Sequence, residues 1–342
     1  MTKTIQQRLQ PVSDLDFPSK DLGLEWKHVT PSDGLEIAKL IYRCERFDES
    51  LTSMGEDEIA NLLEAGANGV VSDVIVGCDE DGKLRALAVV EIMPPDYEYA
   101  RANLLALIDP DFRGRGIGRA VLEWQQARAR QLLVEVFGED STLPVRLAAS
   151  VDAHIEERRR LFEAAGFSAR RTFDVMYRHF HSTAPEVAEP RGGYAIVPWI
   201  PELDTEIHNL HLRAFSDHWG QTADVEEWWN KSRPNMEKRW SFVAISPSGE
   251  VAGYIMVCRH PARWIQTGVS EAYAELLGVG RETRGAGIAR ALITKAMNAA
   301  YNSEVERFGL DVDMDNPHGA ASFYQRLHFE SSGSHIFYAL DL

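Results

Sequence analysis

A short glycine-rich phrase occurs twice in this chain, and its duplication constrains the fold more than any other feature. The first copy, RGRGIG, covers residues 113–118, and the second, RGAGIA, covers residues 284–289, which is 171 positions later. Each copy follows an apolar run typical of a strand and precedes a stretch typical of a helix. Because the phrase recurs together with its surroundings, we predict two copies of one fold.

The length agrees with this duplication, since 342 residues suit two domains of about 170 residues each. Residues 181–193 are rich in helix and strand breakers and poor in large apolar side chains, which is typical of a linker. We therefore predict an N-terminal domain over residues 1–181, a linker over 182–193 and a C-terminal domain over 194–342.

Both halves show the same order of predicted elements: a strand, two helices, a hairpin, the strand–glycine–helix unit, and then a strand and a helix. Hairpins join antiparallel strands, whereas a strand–helix–strand unit connects parallel strands. The predicted fold class is therefore mixed α/β. It consists of two tandem domains, each with a mixed, mostly antiparallel twisted sheet flanked by helices.

The composition argues against several classes of partner. A net charge of −16 is unfavourable for nucleic-acid binding, because phosphate neutralisation needs a basic surface. No apolar run approaches the roughly 20 residues of a membrane span, and the N-terminus lacks the apolar core of a signal peptide. We expect a cytoplasmic protein without a membrane partner. Cys44, Cys78 and Cys258 lack metal-binding or redox spacing, so no metal is predicted.

A glycine-rich turn between a strand and a helix is suited to binding an anion. Its backbone N–H groups lie at the positive end of the helix dipole, and glycine at Gly116 and Gly287 allows a ligand to approach the backbone closely. Neither copy has the Lys-Ser/Thr pair of a Walker phosphate loop, and the glycine spacing differs from that of dinucleotide-binding turns. The repeat therefore predicts a different kind of phosphate-bearing ligand.

The pattern Arg-x-x-Gly-x-Gly/Ala after a strand resembles the acetyl-CoA-binding motif of the GNAT superfamily, and the resemblance covers residues 24–180 and 194–342. It implies a tandem GNAT protein in which the loop amides hold the CoA diphosphate and the preceding strand pairs with the pantetheine arm. The cofactor-binding residues that it implies are Leu277, Val279, Arg281, Arg284, Gly285, Ala286, Gly287, Ile288 and Ala289 in the second half and Ile108, Arg113, Gly114, Arg115, Gly116, Ile117 and Gly118 in the first.

A second motif of this family resembles residues 311–329, where an asparagine ends a strand and a tyrosine lies on the next helix. The resemblance implies that Asn316 hydrogen-bonds the pantetheine arm. It also implies that Tyr324 is the general acid for the departing thiolate, since a phenol with a pKa of about 10 is protonated at neutral pH.

The first half lacks this tyrosine. Aligning Phe167 with Phe329 places Phe162 at the position of Tyr324, and His154 at the position of the asparagine. A phenyl ring has no proton to give. We therefore predict that the N-terminal domain binds CoA, or once did, without turnover and that the C-terminal domain is catalytic.

The general base is the open point of this assignment. Many members of the family carry a glutamate eleven positions before the glycine motif, but Tyr273 stands eleven positions before Arg284. Strand alternation predicts that Glu271, Tyr273, Glu275 and Leu277 share one face. Either Glu275 or Glu271 is therefore the predicted base, acting directly or through water.

The acceptor side is predicted in residues 215–220, an aromatic-rich stretch before the second hairpin. The predicted acceptor-binding residues are Asp217, His218, Trp219 and Tyr273, which suit a cationic amine through an acidic group and cation–π attraction of about 0.5–2 kcal/mol. The same stretch resembles tandem GNAT enzymes of the mycothiol synthase kind.

These features predict an N-acyltransferase that moves an acetyl group from acetyl-CoA to a primary amine of a small molecule. Direct attack is predicted because no cysteine lies in either motif. A mycothiol-type thiol-sugar precursor, a protein or peptide N-terminus and a non-catalytic role as an acyl-CoA-binding regulator stay open as alternatives. The acceptor, the acyl length and the choice between monomer and homodimer also stay open.

Overall fold

A computed structural model describes most of the chain. It covers residues 2–55, 59–60, 63, 71–93, 99–181, 183–215, 225–226, 229–230, 232–315 and 320–342. The chain divides into two compact units. The first unit comprises Met1–Thr172 and Gly333–Leu342, and the second comprises Phe173–Ser332.

Among the described residues, the first strand, the first helix, the hairpin, the strand–glycine–helix unit and the following strand and helix occur in the predicted order in both halves. The second helix predicted in each half falls largely outside the described residues, and a final strand in each half was not predicted. The strands are β1 (Glu25–His28), β2 (Val71–Cys78), β3 (Leu84–Ile92), β4 (Ala100–Ile108), β5 (Val145–Asp152), β6 (Ser168–His179), β7 (Ala195–Pro198), β8 (Phe242–Ile245), β9 (Val251–Cys258), β10 (Glu271–Val279), β11 (Arg307–Asp313) and β12 (Glu330–Asp341). The α-helices are α1 (Ile5–Leu9), α2 (Gly34–Asp48), α3 (Ile117–Phe137), α4 (Glu156–Ala164), α5 (Asp204–Ala214), α6 (Pro261–Thr267), α7 (Ile288–Tyr301) and α8 (Ala320–Gln325).

The sheet of the first unit has the order β1-β2-β3-β4-β5-β12, and that of the second has the order β6-β11-β10-β9-β8-β7. In the first unit only the β4–β5 pair is parallel among the described residues, and in the second only the β10–β11 pair is. The predicted fold class of mixed, mostly antiparallel sheets with flanking helices is therefore confirmed.

Strand pairing assigns two segments to units that the sequence does not indicate. His335–Asp341 of β12 pair with β5 of the first unit, and residues Phe173–His179 of β6 pair with β11 of the second. The sequence division placed 173–181 in the first half and 333–342 in the second. The compact units differ from it because hydrogen bonds between strands, rather than chain order, decide which segments pack together. The division at the linker stays a prediction.

Helix periodicity explains how the glycine-turn helices pack. Helix α7 buries residues three to four positions apart, including Ile288, Leu292 and Ala296, in the core of the second unit. Helix α3 buries Ile117 and Val121 in the core of the first unit in the same way. Both helices therefore hold their N-termini against the sheet, next to the glycine turns. Among the described residues, no helix has the length and apolar character needed to cross a membrane.

Both parallel strand pairs separate halfway along. The β4–β5 pairing covers Ala100–Asn103, and the β10–β11 pairing covers Glu271–Ala274. Beyond these residues, β4 and β10 continue toward the glycine turns without a parallel partner in the described part of the chain. Each unit thus contains an open strand edge that leads directly to a glycine turn.

Candidate functional site

The two glycine turns have the same backbone geometry. In the second unit β10 is followed by a short 3-10 turn (Arg281–Thr283), then Gly285 and Gly287 with φ of +83° and +82°, and then α7. A Cβ at either glycine would meet nothing within 4 Å, so backbone conformation, rather than crowding, explains the glycine. In the first unit Gly114 and Gly116 have φ of +74° and +86° before α3. These turns expose N–H groups at a helix N-terminus, which suits an anion.

The predicted cofactor-binding residues of the second half form one continuous segment. Leu277 and Val279 are half-buried and pack on the core of the second unit, as does Ala286. Ile288 is buried at the start of α7, and Ala289 follows it. Arg281, Arg284 and the two glycines of the turn are exposed. The segment therefore combines an apolar strand, a polar turn and exposed positive charge.

Around the glycine turn of the first unit, side chains hydrogen-bond to one another and to the backbone of β4. Arg113 donates to both carboxylate oxygens of Asp48 at 2.5 and 2.9 Å, and its Nε donates to the carbonyl of Ile108 at 3.0 Å. The amide of Gln125 donates to the carbonyl of Leu105 at 2.8 Å. The carbonyl groups of Leu105 and Ile108, on the part of β4 without a parallel partner, are therefore already hydrogen-bonded within the protein.

The second unit differs at the equivalent positions. Ala296 stands 171 positions after Gln125 and has no side-chain amide to donate. Arg284 stands 171 positions after Arg113 and is exposed, whereas Arg113 is half-buried. The strand edge of β10 is therefore better suited than that of β4 to accept a ligand.

A β-bulge distinguishes β10 from β4. The register between β9 and β10 shifts between Ala274 and Leu276, so Glu275 is the extra residue. The β3–β4 register runs without a shift from Ala86↔Ile108 to Ile92↔Ala102. Bulges interrupt a ladder and re-aim one side chain, and they are frequent beside active sites.

The bulge corrects one prediction about strand faces. Ala272 and Ala274 pack in the second-unit core, and beyond the bulge Leu277 packs on that same core. The prediction that Leu277 shares a face with Glu271, Tyr273 and Glu275 is therefore wrong. The inserted residue reverses the alternation, which a simple count by two does not include.

Glu275 is paired with a histidine that the sequence analysis missed. The Nε2 atom of His260 lies 2.6 Å from Oε1 of Glu275, and both side chains are about 30% exposed (30% and 29%). Burial lowers the pKa of His260, but the hydrogen bond and negative charge of Glu275 outweigh burial, so the pKa is raised. His260 follows β9, the antiparallel neighbour of β10, and only that pairing brings the two together.

Glu271, the other predicted base, has a structural role. Its side chain is fully buried, and its two oxygens lie 2.7 Å from Nε of Arg263 and 2.7 Å from Nη2 of Arg307. Arg263 also donates to the hydroxyl of Tyr177. A fully buried carboxylate held between two guanidinium groups is out of reach of an acceptor amine. Glu271 is therefore not retained as a base.

Tyr273 lies between the buried ion pairs and the Glu275–His260 pair. Its hydroxyl donates to Oδ1 of Asp311 at 2.6 Å, and its ring centroid is 6.0 Å from that of His260. The residue therefore borders the candidate base, and its role on the acceptor side stays a prediction.

Tyr324 lies on α8 within an aromatic cluster. Its ring centroid is 5.0 Å from that of Phe323 and 5.7 Å from that of Phe329. Burial raises the pKa of Tyr324 to about 12, so its hydroxyl is protonated at neutral pH. Phe162 of the first unit is buried next to Phe167, with ring centroids 5.1 Å apart.

Cys258 completes a group of potential metal ligands. Its Sγ, a nitrogen of His260 and an oxygen of Glu275 all lie within 4.8 Å of one another. A metal needs the thiolate form, but burial raises the pKa of the Cys258 thiol, and Sγ is bonded to the carbonyl of Ser232 at 3.2 Å. The arrangement therefore suits proton transfer better than metal binding.

Four predicted site residues lie outside the described part of the chain. They are Asn316, Asp217, His218 and Trp219. Their roles stay predictions.

The chain is similar to a known family and to several known proteins. Residues 205–329 match the family described as "Acetyltransferase (GNAT) family". The chain is 28% identical over 276 residues to a mycothiol acetyltransferase of Acidothermus cellulolyticus, covering 76% of this chain and 77% of that protein. It is 28% identical over 297 residues to a mycothiol acetyltransferase of Kineococcus radiotolerans, covering 85% and 88%.

Two solved structures share the fold over nearly the whole chain. A GCN5-related N-acetyltransferase from Sphaerobacter thermophilus has a TM-score of 0.71 at 21% identity, covering 95% of this chain and 97% of that one. A tandem GNAT protein from the clavulanic acid biosynthesis pathway has a TM-score of 0.66 at 20% identity, covering 93% and 98%. At these identities the likeness concerns the fold.

Proposed function

Residues 205–329 match the GNAT acetyltransferase family, and from that match we propose that the second half of this chain transfers an acetyl group from acetyl-CoA to a primary amine of a small molecule. The resemblance predicted from the two glycine phrases is thereby confirmed. The observation that carries the assignment to the second half is the bulged Glu275 paired with His260 beside the open edge of β10. The regular β4 of the first unit has no such shift along its register with β3.

The second unit has groups that fit each part of acetyl-CoA. The turn at Gly285 and Gly287 offers amides for the diphosphate, and Arg281 and Arg284 add positive charge. The free edge of β10 fits an extended arm that pairs like an added strand, with Leu277 and Val279 beside it. When bound, acetyl-CoA supplies a thioester carbonyl that an amine can attack and a thiol that can leave.

The Glu275–His260 pair is assigned the role of accepting the amine proton. A histidine that donates Nε2–H to a carboxylate is held in one tautomer, with Nδ1 left to accept a proton. Because Glu275 raises the pKa of His260, the neutral imidazole is a stronger base than an isolated one. Glu275 therefore orients and strengthens the base, and His260 accepts the proton.

Tyr324 is assigned the role of proton donor to the sulfur. With a pKa of about 12, its hydroxyl keeps its proton until negative charge develops on the sulfur as the C–S bond breaks. The rings of Phe323 and Phe329 pack against the phenol ring and support its position.

A mycothiol-type thiol-sugar precursor is the second candidate acceptor. The curated relatives at 28% identity are named mycothiol acetyltransferases, and they match most of this chain. This candidate keeps the same proton transfers and changes only the amine.

Release of free thiol from acetyl-CoA tests the proposal. A panel of small primary amines, including a mycothiol precursor, is screened with the full chain, and products are identified by the mass of one added acetyl group. We expect Tyr324→Phe to lower kcat by about 10²- to 10⁴-fold without loss of acetyl-CoA affinity. Tyr301→Phe, at the end of α7, is the matched control, because it removes one phenol hydroxyl outside the proposed proton transfers. Absence of thiol release with every amine tested would overturn the proposal. An unchanged kcat in Tyr324→Phe would show that Tyr324 is not the proton donor.

A further inference from the structure

The predicted linker is attached to the helix of the second glycine turn. The backbone N–H of Ala188 donates to Oγ1 of Thr294 at 3.0 Å, and the amide of Asn298 donates to the carbonyl of Pro185 at 3.1 Å. Both partners on the helix side belong to α7. This segment therefore runs along the helix that begins at the turn.

Arg191 then contacts the turn itself twice. Its guanidinium Nη2 donates to the carbonyl of Gly285 at 2.6 Å, and its backbone N–H donates to the carbonyl of Ala286 at 2.8 Å. Two consecutive carbonyls of the turn are thus held by one residue that lies outside the glycine motif.

These two contacts determine where the amides of the turn point. The peptides here are trans, and in a planar trans peptide the C=O and the following N–H point in opposite directions. Holding the carbonyl of Gly285 directs the N–H of Ala286 away from Arg191, and holding the carbonyl of Ala286 does the same for the N–H of Gly287. Without these contacts a glycine-rich turn samples both signs of φ.

We propose that Arg191 is a positioning residue for the diphosphate of the CoA donor, which it serves by orienting the amides of the second glycine turn. The inference rests on the proposed function of the second half. The exposed guanidinium also adds a permanent positive charge at the turn. This charge matters in a chain with a net charge of −16, which repels an anionic donor.

The first unit provides a matched comparison. Lys20 stands 171 positions before Arg191, and its Nζ lies 3.9 Å from a carboxylate oxygen of Glu25 in a highly exposed pair. Removal of Lys20 therefore deletes the same charge at the equivalent position of the repeat without touching the second turn.

Two acetyl donors separate this role from a general structural one. Arg191→Ala, Arg191→Lys and Lys20→Ala are compared with the unmodified chain, using acetyl-CoA and S-acetylpantetheine, which lacks the diphosphate. We expect Arg191→Ala to raise KM and Kd for acetyl-CoA about tenfold, with kcat and the KM for S-acetylpantetheine unchanged. Arg191→Lys keeps the charge, so its KM and Kd for acetyl-CoA should lie between those of Arg191→Ala and the unmodified chain. Lys20→Ala should have the same KM and Kd for acetyl-CoA as the unmodified chain.

The outcomes distinguish this inference from the proposed function. If the unmodified chain neither binds nor consumes acetyl-CoA, the proposed function fails. If it does both and Arg191→Ala has the same acetyl-CoA affinity, the inference alone fails. Equal loss with both donors, together with a lower melting temperature, would show that Arg191 only supports the fold and would also overturn the inference.

Discussion

Two glutamates four positions apart on one strand have opposite environments. Glu271 is fully buried between two arginines, whereas Glu275 is partly exposed at the bulge and contacts His260. The first environment holds a carboxylate between two guanidinium groups, and the second couples a carboxylate to a histidine whose pKa it raises. The environment of each side chain, rather than its type, therefore distinguishes a structural carboxylate from the candidate catalytic one.

The coupling of Glu275 to His260 predicts a shift in the pH dependence of kcat/KM. Protonation of His260 removes the base, so kcat/KM should fall as the pH drops through its raised pKa. In Glu275→Gln the charge is lost while burial, which lowers the pKa of His260, persists. The acidic limb should therefore move to lower pH, with a lower maximal rate, in profiles from about pH 5 to 9.

A second histidine–glutamate pair serves as the control for this measurement. Glu226 lies 2.8 Å from Nε2 of His208 in the same unit. Glu226→Gln removes the negative charge from a pair of the same kind and should leave the acidic limb in place. If the acidic limb of the kcat/KM profile does not move in Glu275→Gln, the Glu275–His260 pair does not accept the amine proton.

At the scale of elements, β10 has two parts with different environments. Its first residues pair with β11 and carry the buried ion pairs, whereas its later residues follow the bulge and border an open edge. Strand β4 has the same parallel pairing and the same separation from its neighbour but a regular register with β3. The bulge is thus the element-level difference that places a carboxylate beside the free edge in only one of these two strands.

The buried end of β10 predicts a large loss of stability when its charge is removed. Glu271→Gln leaves Arg263 and Arg307 without their counterion, which should lower the free energy of unfolding by about 3–5 kcal/mol. Urea unfolding measures this loss, and kcat per folded molecule should be nearly unchanged. Glu250→Gln, at an exposed turn of the same unit, should change stability little. A stable Glu271→Gln protein with a strongly reduced kcat would restore Glu271 as a base.

At the scale of the whole chain, two similar folds carry different groups at equivalent positions. The first unit has Phe162 in place of the tyrosine, a regular β4, and Arg113 bonded to Asp48. The second has Tyr324, a bulge, and an exposed Arg284. Several features differ together, so we infer that activity cannot be moved to the first half by one substitution.

A substitution in the first half tests this inference. Phe162→Tyr supplies the missing hydroxyl, but it adds neither a bulge nor a histidine–glutamate pair. We expect Phe162→Tyr alone to match the unmodified chain in thiol release, and Phe162→Tyr combined with Tyr324→Phe to be as inactive as Tyr324→Phe alone. Recovery of activity by more than about tenfold in the double variant would place catalytic capacity in the first half.

Local patterns in the sequence predict much of this fold. The order of strands and helices follows from hydrophobic periodicity, and the left-handed turns follow from glycine at Gly285 and Gly287. The repeated glycine phrase also carries the resemblance to the GNAT family. These properties depend on residues that are close together in the chain, so they can be derived from the sequence.

The sequence by itself determined two similar folds, each with a glycine turn that opens a helix, and a tyrosine in only the second. Only the tertiary structure decided that Glu275 is displaced by a bulge and meets His260, that Glu271 is locked between two arginines, and that Arg191 holds the turn. Backbone conformation is largely a local property. Strand register, burial and charge pairing instead depend on contacts between residues distant in the chain, which no local pattern specifies.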